Sequence, residues 1–458
     1  MEPGRGRRQA IVLGGSMAGL LAARVLSDHF EQVTLIERDR FPDGAEHRKG
    51  VPQGRHFHVL LKRGETALDG LFPDLAAALT EGGAPVVDIG ADMRIYQFGD
   101  YKVRCSTDAC LIFLSRPFLE WHVRRRVLSL ENVVACDERE VAGLVTNGDR
   151  TRVTGVMVRG AGRSGGPEGE RLEADLIVDA TGRGSQSGAW LEALGYSRPP
   201  ETTMTIDVHY TSRVYRRTPA DLPGAKAAYA LPKPPHERRF GALFPMEGER
   251  WIATLGAWLG DHAPADEAGF LQFARSLPAP DIAQALPRLE PLADFVVHHF
   301  PANRRRHYER LARFPDGYIV LGDAMCSFNP VYGQGMTVSA LEAHVLDECL
   351  RERNGGDLRG LPRRFFGRAA KMLDPAWRLT TSEDLRHPGV AEHGAAPPGT
   401  RVINWYTARI YEAAVHDAEV YRAFVQVLTM LRPPLSLFRP RLVFRTLTGA
   451  LAQRLPLR

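Results

Sequence analysis

The stretch "AIVLGGSMAGLLAARVLSDHFEQVTLIERD", Ala10 to Asp39, decides how the rest of the chain is read. An apolar run, Ala10 to Leu13, meets Gly14-Gly15-Ser16-Met17-Ala18-Gly19, and a helical pattern carrying Leu20, Leu21, Ala23 and Leu26 follows. A second apolar run, Val33 to Ile36, ends in Glu37. Strand, turn, helix and strand fill about 30 residues, with the acid about 20 positions after the glycines, which is the spacing of a dinucleotide-binding βαβ unit. Each part has a physical task. Glycines let the backbone approach a pyrophosphate, the helix N-terminus offers free N–H groups to it, and the acid accepts from a ribose hydroxyl. Ser16 stands where the middle glycine usually is; its small side chain still permits close approach and its hydroxyl can donate to a phosphate. The six turn residues, Glu37 and the adjoining Arg38 are candidate cofactor contacts.

Composition sets the outer limits. The 458 residues are enough for two or three domains. With 44% hydrophobic and 25% charged residues the chain has an ordinary globular make-up. A net charge of +5 is small for this length and argues against a nucleic-acid partner. Cys105, Cys110, Cys136, Cys326 and Cys349 are scattered, odd in number and without metal-ligand spacing, which fits a reducing cytoplasm. "GRGRR" near the start resembles a twin-arginine signal, but a glycine-rich turn follows it rather than a cleavage site. No run reaches the roughly 18 uncharged apolar residues that span a bilayer.

Two later stretches carry a second message. "ADLIVDATGRGSQSG", Ala174 to Gly188, contains another short apolar strand. In "GDAMCSFNPVYGQGM", Gly322 to Met336, the apolar "YIVL" runs into one acid, Asp323, and then into an uncharged loop ahead of a helical pattern. With these segments the chain resembles the single-component FAD-dependent monooxygenases, and its pattern is most similar to bacterial polyether-type and squalene-type epoxidases. The resemblance implies that Asp323 holds a ribityl hydroxyl of FAD, and that Pro330, Gly333, Gly335 and Met336 carry the chain past the flavin ring to a helix N-terminus. Such a terminus suits the negative charge that reduced flavin carries near N1. Phenol hydroxylases of this type place a histidine where Cys326 stands; the departure leans away from them and leaves Cys326 as a packed thiol.

Upstream, "HRKGVPQGRHFHVLL", His47 to Leu61, resembles the family segment beside the flavin, and Arg48 there matches an arginine that reaches cofactor phosphate. His56 and His58 have no third ligand at sensible spacing, so they line the pocket or simply pack, and no metal is expected. In "SRPFLEWHVRRRV", Ser115 is an N-cap, Phe118, Leu119, Val123 and Val127 share one face, and Arg116 matches an arginine over the phosphate and ribityl region. Arg124 to Arg126 read as a solvated face.

"TTMTIDVHYTSRVYRR" and "FGALFPMEGERWIATLGAWLGD" alternate like antiparallel strands, with a Glu247-Gly248 turn. Their aromatic residues either line an apolar substrate pocket or pack the sheet, and none is assigned a catalytic role. "RRRH" at 304–307 either attracts NADPH phosphate or is a solvated patch. The segments at 159–171 and 388–400 read as a flexible hairpin insertion and a linker. The basic, apolar tail from Leu431 reads as a docked helix with solvated arginines, or as a weak peripheral membrane contact.

The expected fold is α/β: a Rossmann-like FAD-binding domain of the glutathione-reductase type (1–80, 105–200, 301–355), an inserted antiparallel substrate domain (81–104, 201–300) and C-terminal helices (356–458). No second dinucleotide fingerprint is visible, which matches a nicotinamide that visits briefly. The resemblance implies a cytoplasmic enzyme of secondary metabolism. It would use FAD, O2 and NADPH or NADH, via a C4a-hydroperoxyflavin, to epoxidise or hydroxylate a lipophilic polyene, polyketide or terpenoid. The sequence shows no convincing catalytic base. The alternative is an FAD-dependent prenyl-chain reductase of the geranylgeranyl type. A flavin halogenase is disfavoured, because Trp121, Trp190, Trp251, Trp258, Trp377 and Trp405 include no W-x-W-x-I-P segment.

Overall fold

Strand β1 (Gln9–Leu13) pairs in parallel, through Ala10, with Val33 of β2 (Gln32–Ile36) on one side and with Leu176 on the other. The structure, a computed structural model, describes residues 8–160, 169–352, 357–392 and 399–452. Most of "GRGRR" and the central parts of the 159–171 and 388–400 segments lie outside the described residues. Helix α1 (Met17–Ser27) crosses between β1 and β2, and α2 (Arg116–Leu128) leads into β3 (Val133–Cys136) at the sheet edge. The chain then returns through β4 (Leu176–Asp179) beside β1.

From there it leaves for an antiparallel sheet. β5 (Glu201–Arg216), β6 (Ala227–Ala230), β7 (Arg239–Met246), β8 (Arg250–Ala257) and β9 (Val296–Arg306) form its middle in the order β9-β5-β8-β7-β6, within nine strands. β7 and β8 are joined through residues 247–249, with Gly248 and Glu249 at positive φ, as a three-residue hairpin loop often requires. β10 (Tyr318–Val320) completes the parallel sheet as β10-β4-β1-β2-β3, followed by α3 (Gly335–Arg351) and α4 (Leu361–Asp384).

The parallel sheet is apolar because α1 packs against it and so does a three-stranded antiparallel sheet (Arg139–Thr146, Val153–Gly160 and Glu170–Glu173), whose Val153, Val156 and Val158 join the same core. Leu13, Leu20, Leu26 and Leu35 are fully buried, each burial worth roughly 1.5–3 kcal/mol. Phe365, Phe366, Leu373 and Trp377 of α4 belong to the same core. At the other extreme, Val402, Leu435 and Phe444 are well exposed. No helix among the described residues is long and apolar enough to cross a membrane.

Two expectations about arginines are corrected. Arg124 is buried, donating to the carbonyls of Pro42 and Gly44 and lying over the Phe41 ring, because α2 turns that face onto the segment after β2. The 304–307 stretch is not a solvated patch. It belongs to β9 and the turn after it, where Arg305 pairs with Asp374 and Arg306 with Glu201. Cys326 is buried, and burial pushes its thiol well above the ordinary range, as a packed cysteine requires.

Candidate functional site

The ends of β1, β4 and β10 and the inner face of the antiparallel sheet enclose one continuous cavity of about 570 Å³. Gly14, Ser16, Met17, Ala18, Glu37, Arg38, Arg116, Asp323, Pro330, Gly333, Gly335 and Met336 line it. Gly15, Gly19 and Arg48 stand behind this lining.

The first turn is held by sterics and by one carboxylate. Gly14 has φ +96°, and a Cβ there would lie 2.6 Å from the Ala180 carbonyl oxygen; one at Gly19 would overlap the Gly14 carbonyl. Glu37 accepts from the Gly15 N–H at 2.7 Å, so the acid at the end of β2 also braces the turn. Arg48 does not reach into the cavity. It donates to the Gly15 carbonyl at 3.1 Å and to Glu120 at 2.6 and 2.9 Å. Arg116 donates to the Ser16 hydroxyl at 2.7 Å, and that hydroxyl donates to Glu120 at 2.8 Å. Glu120 thus gathers Arg48, Arg116 and Ser16 beneath the turn. Burial opposes its charge, but Arg116 and Arg48 win, and the carboxyl titrates below its ordinary value. Sequence reading missed Glu120 because an acid in a helix of charges looks solvated.

The late motif is arranged differently. Asp323, at the end of β10, has no hydrogen-bond partner among the described residues; burial pushes its pKa up, against the pull of Arg116, Arg183 and Arg304. After it, Gly333 turns at φ +67° and α3 begins at Gly335 with no side-chain cap, so first-turn N–H groups are left beside the cavity. The loop is fixed from outside by Asp384, the last residue of α4. Its carboxylate accepts from Trp258 Nε1 (2.9 Å), Asn303 (2.7 Å), Asn329 (2.8 Å) and the Tyr332 hydroxyl (3.0 Å), and burial raises its pKa to about 6.

Beneath Asp323, Glu342 of α3 accepts from the Gly322 N–H at 2.6 Å, and burial lifts its pKa to about 8. A folded pKa above the unfolded value means that stability is complete below about pH 4.5 and declines as pH rises toward about 8. Each pKa unit is worth about 1.4 kcal/mol. The neutral isostere Glu342→Gln is expected to flatten that slope, measured as urea midpoints across the same range. An unchanged slope would show that Glu342 is not the titrating group.

The far end of the cavity is walled by Phe240, Phe300, Phe328 and Val331, and also by His56, His58, Tyr210 and His298. Tyr210 and His298 face each other across β5 and β9. The His56 ring lies 4.6 Å from Tyr210 and 5.4 Å from His298. Its Nδ1 is 2.8 Å from Ser212 Oγ, which is 2.6 Å from Thr254 Oγ1, while its Nε2 has no partner among the described residues. Burial, then His298, lower the His56 pKa to about 2, so the ring is neutral. Strand alternation could have suggested that Tyr210 faces inward; its pairing with His298 could not be read without the register.

No protein-family model matches the chain. It is 29% identical over 371 residues to kynurenine 3-monooxygenase of Salinispora arenicola, spanning 76% of this chain and 73% of that one. The structure of pqsL, a probable FAD-dependent monooxygenase from Pseudomonas aeruginosa, superposes with a TM-score of 0.58 at 16% identity, over 83% of this chain and 98% of the other. An unpartnered carboxylate and an uncapped helix start on one cavity suit the hydroxylated chain and flat ring of FAD, and the protein is an FAD-dependent oxidoreductase of the monooxygenase class with NAD(P)H as the usual reductant. At higher similarity, 36% over 402 residues, it matches Protein Rv3254 of Mycobacterium tuberculosis across 85% of this chain and 83% of that protein. The chain belongs to the family of Protein Rv3254.

Proposed function

We propose that the protein hydroxylates a lipophilic ring compound bearing a phenolic or enolic hydroxyl, at the expense of NAD(P)H and O2. The observation that carries this reading is His56, a neutral imidazole with a partnerless Nε2 in a wall that also holds Phe240, Phe300, Phe328 and Val331. A substrate hydroxyl donating to His56 becomes more electron-rich at the neighbouring carbons, which favours attack by electrophilic oxygen. A nitrogen of such low basicity orients and polarises the hydroxyl without retaining its proton. The phenylalanines around it exclude water. Kynurenine 3-monooxygenase, as its name states, is also a monooxygenase of a small organic molecule.

In this reading FAD lies along the cavity between the two motifs, in a Rossmann-like domain of the glutathione-reductase type, and supplies the activated oxygen when bound. Ser16 and Arg116 face its phosphates, Glu37 and Arg38 its adenosine end, and Asp323 its ribityl chain. The turn from Pro330 to Met336 lies against the ring. Gly15, Gly19 and Arg48 support the first turn from behind. The inserted antiparallel sheet supplies the substrate wall.

The test pairs NAD(P)H consumption under O2 with product mass, across lipophilic phenols, enols and non-hydroxylated polyenes. Hydroxylated phenols or enols are expected, and His56→Gln is expected to cost about tenfold in kcat/KM while leaving FAD content unchanged. Turnover confined to polyenes would favour the epoxidase alternative. Anaerobic saturation of double bonds would revive the prenyl-chain reductase, which the comparisons do not favour.

A further inference from the structure

β5 and β9 have an outer face as well as an inner one. His209 lies directly opposite His299 in the register, one residue from the inward-facing pair Tyr210 and His298. The two outer imidazoles stack with centroids 4.1 Å apart and planes 11° from parallel. Both Nε2 atoms converge on one oxygen, Asp207 Oδ1, at 3.3 Å from His209 and 2.7 Å from His299.

Asp207 is brought to this face by a bulge. Between Thr205 and Val208 the pairing with β9 shifts, and Asp207 adopts φ +46°, a conformation that aspartate tolerates better than most residues. Gly260 packs against it; a Cβ there would lie 3.0 Å from the Asp207 carboxylate. His262 stands nearby, its ring 5.9 Å from that of His209.

Among the described residues, these three form the one group of histidine, cysteine and carboxylate side chains whose ligand atoms all lie within 4.8 Å of one another. Two imidazoles sharing a single carboxylate oxygen offer the nitrogen and oxygen donors that a borderline divalent ion takes. Zinc takes imidazole nitrogen and carboxylate oxygen at about 2.0–2.2 Å, so a small inward movement of the three side chains suffices. Their side chains are between 25% and 48% exposed, which leaves room for an ion to enter and for water to complete its shell.

We propose that Asp207, His209 and His299 form a transition-metal site of the two-histidine, one-carboxylate type, filled by a divalent ion such as Zn2+. A bound ion would fasten His209 to His299, and with them the two strands that present Tyr210 and His298 to the cavity on the opposite face. The site is separate from the flavin region and does not depend on the reaction proposed above.

The test uses tag-free, FAD-loaded protein and Zn2+ alone, titrated by calorimetry, with Co2+ absorption as a report on ligand geometry. One ion per chain is expected, with a rise in unfolding temperature on adding zinc. His299→Gln and Asp207→Asn are each expected to weaken binding at least about tenfold and to remove that thermal shift. Both positions are partly exposed, and asparagine also tolerates the Asp207 backbone, so the variants should fold; circular dichroism and flavin content check this. Absence of stoichiometric binding at about 100 µM zinc, or binding as tight in folded variants as in the parent, would overturn the proposal.

Discussion

Asp323→Ala is expected to bind FAD roughly tenfold to a hundredfold more weakly than the parent, the loss of about 1.5–3 kcal/mol for one charge-assisted hydrogen bond. Its apoprotein should nevertheless be as stable as the parent's, or more so. In the folded chain this carboxylate lines the cavity, half-buried and without a hydrogen-bond donor, and loss of hydration is the largest influence on its pKa. Removing a half-buried, unpartnered carboxylate relieves part of a desolvation cost. The two effects have opposite signs, which separates a ligand-binding role from a structural one. Flavin fluorescence titration reads the first and thermal unfolding without cofactor the second. A variant that keeps full FAD affinity, or loses apoprotein stability, would show that Asp323 braces its own turn.

Glu120→Ala should act in the other way, costing about 3–5 kcal/mol of stability before any cofactor is considered. Arg48 and Arg116 would be left buried with their principal counter-charge gone, and Ser16 would lose its acceptor. Glu120→Gln keeps the shape and one acceptor oxygen and should fall between the two. Chemical denaturation and flavin content at purification measure both variants. The pH dependence supplies a second check. Because the folded carboxyl titrates below its unfolded value of about 4.5, its stabilisation is complete above that pH and fades as the solution becomes more acid. Parent-like stability in Glu120→Ala would mean that Asp39 and Glu37 suffice to neutralise Arg48.

What the sequence makes legible follows range along the chain. The first turn, α1 and Glu37 lie within about 30 residues, so spacing alone recovers them. Asp323 is readable for the same local reason, an acid at the end of an apolar run before glycines. Glu120 is separated from Ser16 by 104 positions and from Arg48 by 72, so only tertiary packing reveals the arginine-carboxylate cluster. Arg124 reads as solvated in the sequence because the backbone carbonyls it bonds leave no mark on composition. The inward pairing of Tyr210 with His298 and the outward pairing of His209 with His299 depend on register, and a one-residue slip would exchange the faces. His56 stood in plain view, but its significance comes from Ser212, 156 residues away.

The four donors gathered by Asp384 also bear on how this architecture can be rearranged. They come from the end of β8, from β9 and from the turn before α3, whereas the acceptor closes α4. A splice that grafts a foreign C-terminal segment after residue 360, without an acid at position 384, would orphan all four at once, even if every strand upstream were retained. Recombination among relatives is therefore constrained to carry that aspartate together with Asn303 and Asn329, as a single heritable block scattered over more than 80 positions.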